Sequence, residues 1–184
     1  MNKIDPRIKE VIFTKEQLES RIKELAAWVN ETYKDSKNLI LVGLLKGSVP
    51  FLSQLIKDVT VDHKLDFMIA SSYAGAHQSS GNVKIIMDLA EEIKDCDVLI
   101  VEDIIDSGIT LSRIKNMLLL RKPKSFKILT LLDKPHHRKV DLFPDNYGFK
   151  APDKFLIGFG LDYKEIYRNL PYIGVLDEKY IDKN

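Results

Sequence analysis

A chain of 184 residues, 45% hydrophobic and 30% charged, is long enough to bury one core and has the composition of an ordinary soluble domain. Its formal net charge of +1 makes no electrostatic case for a nucleic-acid partner, and no run approaches the roughly 18 apolar residues of a membrane span. A single cysteine excludes an internal disulfide and a cysteine-rich zinc site; the polar start, Met1 to Pro6, lacks a signal peptide's apolar core, so the expected address is cytoplasmic.

Thr14 followed by Gln17 has the form of a capping box. Leu18, Ile22, Leu25, Ala26 and Val29 recur at helical spacing and predict a helix from about Thr14 to Tyr33, with Trp28 buried against a sheet or a subunit partner. Leu39 to Leu45 reads as a buried strand. Ser48 is placed to cap a second helix, with Pro50 in its first turn and Phe51, Leu52, Leu55 and Ile56 facing inward. Leu65 to Ser71 is a further strand. Ala74 to Asn82, rich in Ser, Gly, Ala and Gln, predicts a mobile loop or hairpin tip before strand character resumes at Val83 to Met87. Glu91 and Glu92 belong to a solvated turn or helix face, and Cys96, between Asp95 and Asp97, has no reactive role.

The most informative stretch is Val98 to Thr110, VLIVEDIIDSGIT. A β-branched apolar run of this kind reads as a buried parallel strand, and a helical pattern follows its Ser-Gly turn. Glu102 and Asp103 would point to opposite faces of an ideal strand, but a turning backbone at the strand end lets both reach outward. One reading is solvated acids with a helix cap at Asp106 or Ser107. The functional reading is a phosphate cradle built from the N–H groups of Asp106 to Thr110 and the Ser107 and Thr110 hydroxyls at a helix N-terminus. No Walker loop exists, so ATP hydrolysis is not indicated.

Leu111, Ile114, Met117 and Leu118 continue as a helix stopped by Pro123. Phe126 to Leu132 is another strand, and Lys134-Pro135-His136-His137-Arg138 an exposed loop. His136 and His137 are adjacent and lack a third ligand, so they are not read as a metal site. The tail from Pro144 is broken by glycines and prolines, with strand-like runs around Phe155 and Ile173. The predicted fold is α/β: a doubly wound, mainly parallel sheet flanked by helices, in a single domain. Its core would span about 36–143, and a small hood about 1–13 plus 144–184.

The order in Ile100 to Thr110, two hydrophobics, two acids, two hydrophobics, Asp, Ser, Gly, a variable residue and Thr, resembles the phosphoribosyl-pyrophosphate motif of type I phosphoribosyltransferases. Leu44-Leu45-Lys46-Gly47-Ser48 is similar to the family's pyrophosphate loop, and Ser72-Tyr73 to the start of its mobile catalytic loop. Lys134, then Pro152 to Gly158 and Leu161-Asp162-Tyr163, resemble the purine-binding region of the hypoxanthine-guanine branch.

The resemblance implies joining of hypoxanthine or guanine to ribose 5-phosphate, giving IMP or GMP and pyrophosphate. Glu102 and Asp103 would hold the ribose hydroxyls and Mg2+, and Asp162 would support a second Mg2+. Asp106 would be the catalytic acid/base at purine N7. Asp106, Ser107, Gly108, Ile109 and Thr110 would bind the 5′-phosphate. Some relatives carry Lys where Ile109 stands, so that position would contribute its backbone N–H. Lys46, Gly47 and Arg168 would bind pyrophosphate, with a cis peptide expected between Leu45 and Lys46. Ser72 and Tyr73 would join them when a lid, Ser72 to about Lys84, closes. Lys134 would donate to purine O6, Phe155 would stack on the ring, and the carbonyls of Leu156 and Asp162 would meet its N1 and N2 edge. A homodimer or homotetramer is expected, with small-molecule substrates as partners. Two other readings are an RNA-binding regulator on the same scaffold and a transferase for xanthine or a pyrimidine. The near-neutral charge, with Lys134, Phe155 and Asp162, favours the 6-oxopurine enzyme.

Overall fold

In the computed structural model, which describes residues 4–72 and 83–181, the chain runs β1 (Ile8–Phe13), α1 (Lys15–Thr32), β2 (Leu39–Leu44), α2 (Val49–Leu55), β3 (His63–Ser72), β4 (Val83–Met87), β5 (Asp97–Ile105), α3 (Ile109–Leu119), β6 (Ser125–Asp133), β7 (Asn146–Lys150), β8 (Leu156–Ile157) and β9 (Ile173–Leu176). Short 3-10 turns follow at Pro135–His137 and Glu178–Tyr180. The expected loop at Ala74 to Asn82 and the lid residue Tyr73 lie outside the described residues; the strands on either side, β3 and β4, pair antiparallel.

The main sheet has the order β4-β3-β2-β5-β6-β7. From β3 to β7 every neighbouring pair is parallel. Strand periodicity then decides which helix covers which face. Leu39, Leu41, Leu99, Val101, Leu129 and Leu131 pack with Leu18, Ile22 and Leu25 of α1 and Phe51, Leu52 and Leu55 of α2. The alternate residues Ile40, Val42, Val98, Ile100 and Ile128 pack with Leu111, Ile114 and Leu118 of α3. Both faces are therefore covered, which is why these strands read as unbroken apolar runs. Each buried Leu or Ile contributes about 1.5–3 kcal/mol relative to exposure.

Helix α1 starts as its sequence dictates. The Thr14 N–H donates to Gln17 Oε1 at 2.8 Å, and the Gln17 N–H returns to Thr14 Oγ1 at 3.3 Å. Trp28 is half-buried against the α1–α2 side of the core. The expectation for Ser48 needs correction. It precedes α2, but its backbone is already helical, and its hydroxyl is buried without a partner instead of capping. Helix α3 ends at Leu119, before Pro123, with Lys122 in a left-handed turn at φ 54°.

A second correction concerns the hood. Residues 146–150 fall in the range expected for it, yet they form β7, which pairs parallel with β6 at the sheet edge. The apolar content of this five-residue strand is too slight to announce it in the sequence. Its outer edge is sealed by Arg21 of α1, whose guanidinium donates to the carbonyls of Gly148 and Tyr147 at 2.9 and 2.8 Å. The hood sheet has the order β1-β9-β8, antiparallel throughout. Its residues Leu156, Phe159, Leu161 and Ile173 join the same apolar cluster as α1 and α2. Among the described residues no helix is long and apolar enough to cross a membrane.

Candidate active site

The carboxyl ends of β2, β5 and β6 converge beneath the hood, the place where open α/β sheets bind ligands. Strand β5 continues through Ile105, so Glu102 and Asp103 lie inside the strand, not at its turning end as expected. Its apolar register with β6, Ile104 opposite Leu132 and Ile105 opposite Asp133, carries the pairing past the acids. Asp103 faces the α2 side, where the loop after β2 approaches it. A side chain on Gly47 would put Cβ 1.7 Å from Asp103 Oδ2, so only glycine allows this approach.

Burial dominates the electrostatics of the two acids. It pushes the Glu102 carboxyl well above the usual range, and the charge of Asp103 adds to the effect. It lifts Asp103 to about 6, opposed by the Ile104 N–H, which donates to Asp103 Oδ1 at 2.7 Å, and by Arg168. Glu102 Oε2 is buried with no hydrogen-bond partner. An orphaned carboxylate oxygen beside a second half-buried carboxylate suits a hard divalent cation such as Mg2+. Among the described residues no three His, Cys, Asp or Glu side chains form a cage of their own.

The turn after β5 begins α3 at Gly108, whose φ of 77° lets the backbone reverse. The N-cap position of α3 is Gly108, with neither Asp106 nor Ser107 in it. Ser107 Oγ accepts from the Ile109 N–H at 3.4 Å, and Thr110 lies in the first turn of α3. Arg138 ties this turn down: its guanidinium donates to the carbonyls of Asp106, at 3.0 Å, Ile105 and Leu142 and pairs with Asp133. The segment expected to be an exposed basic loop is thus exposed only in part. Lys134 is 8% exposed, and the Arg138 side chain is equally buried, because both serve backbone and acid partners. An open cleft of about 500 Å³ lies between Asp106, Ser107, His136, His137, Arg138 and Lys139.

The residues expected to read the base are Lys134, Phe155 and Leu156. The Lys134 ammonium donates to the Lys154 carbonyl at 3.3 Å and lies 3.5 Å from Asp153. Phe155 is 48% exposed, its ring edge-on to Tyr163 at 5.7 Å, while Leu156 is buried. An exposed phenyl ring leaves a face on which a planar ligand can stack.

Opposite them, the Leu45–Lys46 peptide is cis, as expected. Lys46 lies 2.6 Å from Glu165, Glu165 lies 3.2 Å from Arg168, and Arg168 lies 2.9 Å from Asp162. The structure brings Lys46, Asp162 and Arg168 into one ionic chain, with the Lys46 ammonium holding the Glu165 carboxyl below its usual range. Sequence reasoning missed Glu165; its spacing of three from both Asp162 and Arg168 was the available signal. It also set aside His137, which stands 3.2 Å from Asp106 and 2.7 Å from Asp153. The backbone of Ser72 ends β3, and Tyr73 is outside the described residues.

Comparison with known proteins agrees with this geometry. Residues 10–164 match the family model described as the phosphoribosyl transferase domain. The hypoxanthine phosphoribosyltransferase of Salmonella typhimurium is 50% identical over 173 residues, 92% of this chain and 97% of that protein. The hypoxanthine-guanine phosphoribosyltransferase of Bacillus subtilis is 50% identical over 169 residues, covering 92% and 93%. A crystal structure of a hypoxanthine phosphoribosyltransferase from Staphylococcus aureus superposes with a TM-score of 0.94 at 46% identity, covering both chains completely. The Trypanosoma cruzi hypoxanthine phosphoribosyltransferase in complex with the product IMP gives 0.90 at 35% identity, covering 97% and 99%. With most of its length matched by the family model and by relatives at half identity, the chain belongs to the phosphoribosyltransferase family.

Proposed function

We propose that the protein transfers the 5-phosphoribosyl group of phosphoribosyl pyrophosphate to hypoxanthine and guanine, making IMP and GMP in purine salvage. One juxtaposition carries the reading: Asp106 lines an open cleft at the end of β5, and His137 in that cleft joins it to Asp153, which stands 3.5 Å from the Lys134 ammonium and two residues before Phe155. A proton acceptor, a buried ammonium and an exposed ring are what a 6-oxopurine needs. The names of the half-identical relatives support the same substrate class.

In this reaction purine N9 bonds to C1′ as the bond from C1′ to pyrophosphate breaks, and the electron pair leaves with pyrophosphate. Asp106 takes the N7 proton as C1′ gains cationic character. The Asp106–Thr110 turn holds the 5′-phosphate through Ser107, Gly108, Thr110 and the N–H of Ile109 at the start of α3. Glu102 and Asp103 would hold the ribose hydroxyls and Mg2+, and Asp162 would support a second ion. When bound, Mg2+ offsets the charge that develops on pyrophosphate. Lys46, Gly47 and Arg168 grip that group; a guanidinium suits the bidentate task. Lys134 donates to O6 and rejects a 6-amino base, whose amino group also donates. Phe155 stacks on the ring while the Leu156 and Asp162 carbonyls meet the N1 and N2 edge. Ser72 and Tyr73 reach pyrophosphate from the lid. The domain works as one unit in a homodimer or homotetramer within the cytoplasm.

The test is to supply the purified protein with phosphoribosyl pyrophosphate, Mg2+ and each base separately, following nucleotide release. Hypoxanthine and guanine are expected to turn over, and adenine and uracil not. Turnover confined to xanthine or a pyrimidine, or none at all, defeats the proposal. Chelation is expected to abolish turnover and added Mg2+ to restore it.

A further inference from the structure

We infer that His137 is a positioning residue that registers the proton acceptor Asp106 with the base-reading group Lys134. The inference rests on the purine-transfer reading above. His137 sits on the 3-10 turn Pro135–His137, its Nδ1 3.2 Å from Asp106 Oδ1 and its Nε2 2.7 Å from Asp153 Oδ1. Asp153 Oδ1 in turn lies 3.5 Å from the Lys134 ammonium. One ring therefore spans the gap between the β5–α3 turn and the loop after β7.

The chemistry of the ring suits this bridge. Ionised carboxylates only accept hydrogen bonds, and the two nitrogens of an imidazole point in divergent directions from a rigid plane. When both nitrogens carry protons, His137 donates to both acids and fixes their separation. Carbonyl O6 and N7 share one edge of a 6-oxopurine, so the groups that meet them must be held at a matching separation. Misplacement by about 1 Å can cost about 100-fold in rate.

The backbone that carries the ring is anchored, whereas the Asp106 side chain is not. The His137 backbone N–H donates to the Lys134 carbonyl at 3.4 Å, and the Lys134 backbone N–H donates to the Ile105 carbonyl at 3.0 Å. The next residue is Arg138, fixed by three carbonyls and Asp133. The Asp106 side chain, by contrast, is 50% exposed, and among the described residues His137 is the side chain within ion-pair range of it. An exposed carboxylate on a single-residue tether needs such a restraint to face the base.

The experiment compares His137→Ala and His137→Gln with the wild type in the intact protein, measuring kcat and KM for hypoxanthine and for phosphoribosyl pyrophosphate. His137→Ala is expected to lower kcat/KM for hypoxanthine about tenfold, the scale on which orienting partners of reactive groups act. KM for phosphoribosyl pyrophosphate should stay within about twofold, since His137 touches the Asp106 carboxylate and not the Ser107–Thr110 groups assigned to the 5′-phosphate. Gln keeps a donor for one carboxylate and should recover part of the loss. The thermal midpoint should not change, because exposed ion pairs contribute little stability. Adding Asp153→Asn to His137→Ala should cost less than the sum of the two single effects, as both cut the same bridge. A wild-type kcat/KM in His137→Ala would overturn the inference, as would parallel losses for both substrates with a lowered thermal midpoint. A wild type inactive with either base would instead remove the proposed reaction, and His137's role with it.

Discussion

Asp103 shows how a site residue can work against the fold that holds it. Burial lifts its carboxyl to about 6, above the ordinary range near 3.8. A group with a raised folded-state pKa adds stability below its unfolded value and loses that contribution as pH rises through the folded one. The free protein should therefore lose stability from Asp103 between about pH 4 and pH 6. In chelated buffer, Asp103→Asn should match the wild type in urea denaturation near pH 4 and exceed it at pH 7.5 by about 3 kcal/mol. Equal stability at both pH values would show that the burial cost is not borne by this side chain. Asp106 is the contrasting residue: exposed, on a turn, and outside the core. Asp106→Asn should cut kcat by about 10²–10⁴-fold while phosphoribosyl pyrophosphate still binds, because an amide cannot accept the N7 proton. Calorimetric binding beside turnover checks both halves of that expectation.

At the scale of elements, the loop between β2 and α2 and the last turn of β5 act as a pair. Gly47 has no side chain where a Cβ would overlap Asp103, and its carbonyl stands so near Gly160 that a Cβ there would meet it at 2.0 Å. Three chain segments meet with no room for a methyl group. Gly47→Ala should push the loop off Asp103 and lower kcat/KM for phosphoribosyl pyrophosphate about 100-fold, the penalty of an ångström-scale shift. Steady-state kinetics at saturating hypoxanthine would reveal it, and a wild-type value would mean that the loop tolerates displacement. The apolar runs of β2, β5 and β6 and the capping box of α1 were readable from spacing because their neighbours are local. The extension of β5 through two acids and the placement of β7 were not. Both depend on pairing with β6, a partner distant in sequence.

Across the whole molecule, the hood is not an independent body. Leu156, Phe159, Leu161 and Ile173 share one buried cluster with α1, α2 and the main sheet, and Phe13 stacks on Phe149 at 4.3 Å. Scanning calorimetry should give a single transition with equal calorimetric and van't Hoff enthalpies; two transitions would separate hood from core. The sequence by itself determined the doubly wound class, the acidic motif after Val101 and the family it resembles. Those depend on hydrophobic periodicity and on residue order within a short window. Only the tertiary structure decided that Lys134 is buried, that Glu165 links Lys46 to Arg168, and that His137 stands between Asp106 and Asp153. Each of those contacts joins segments brought together by sheet order and by the hood folding back, and no local pattern encodes the distance between them.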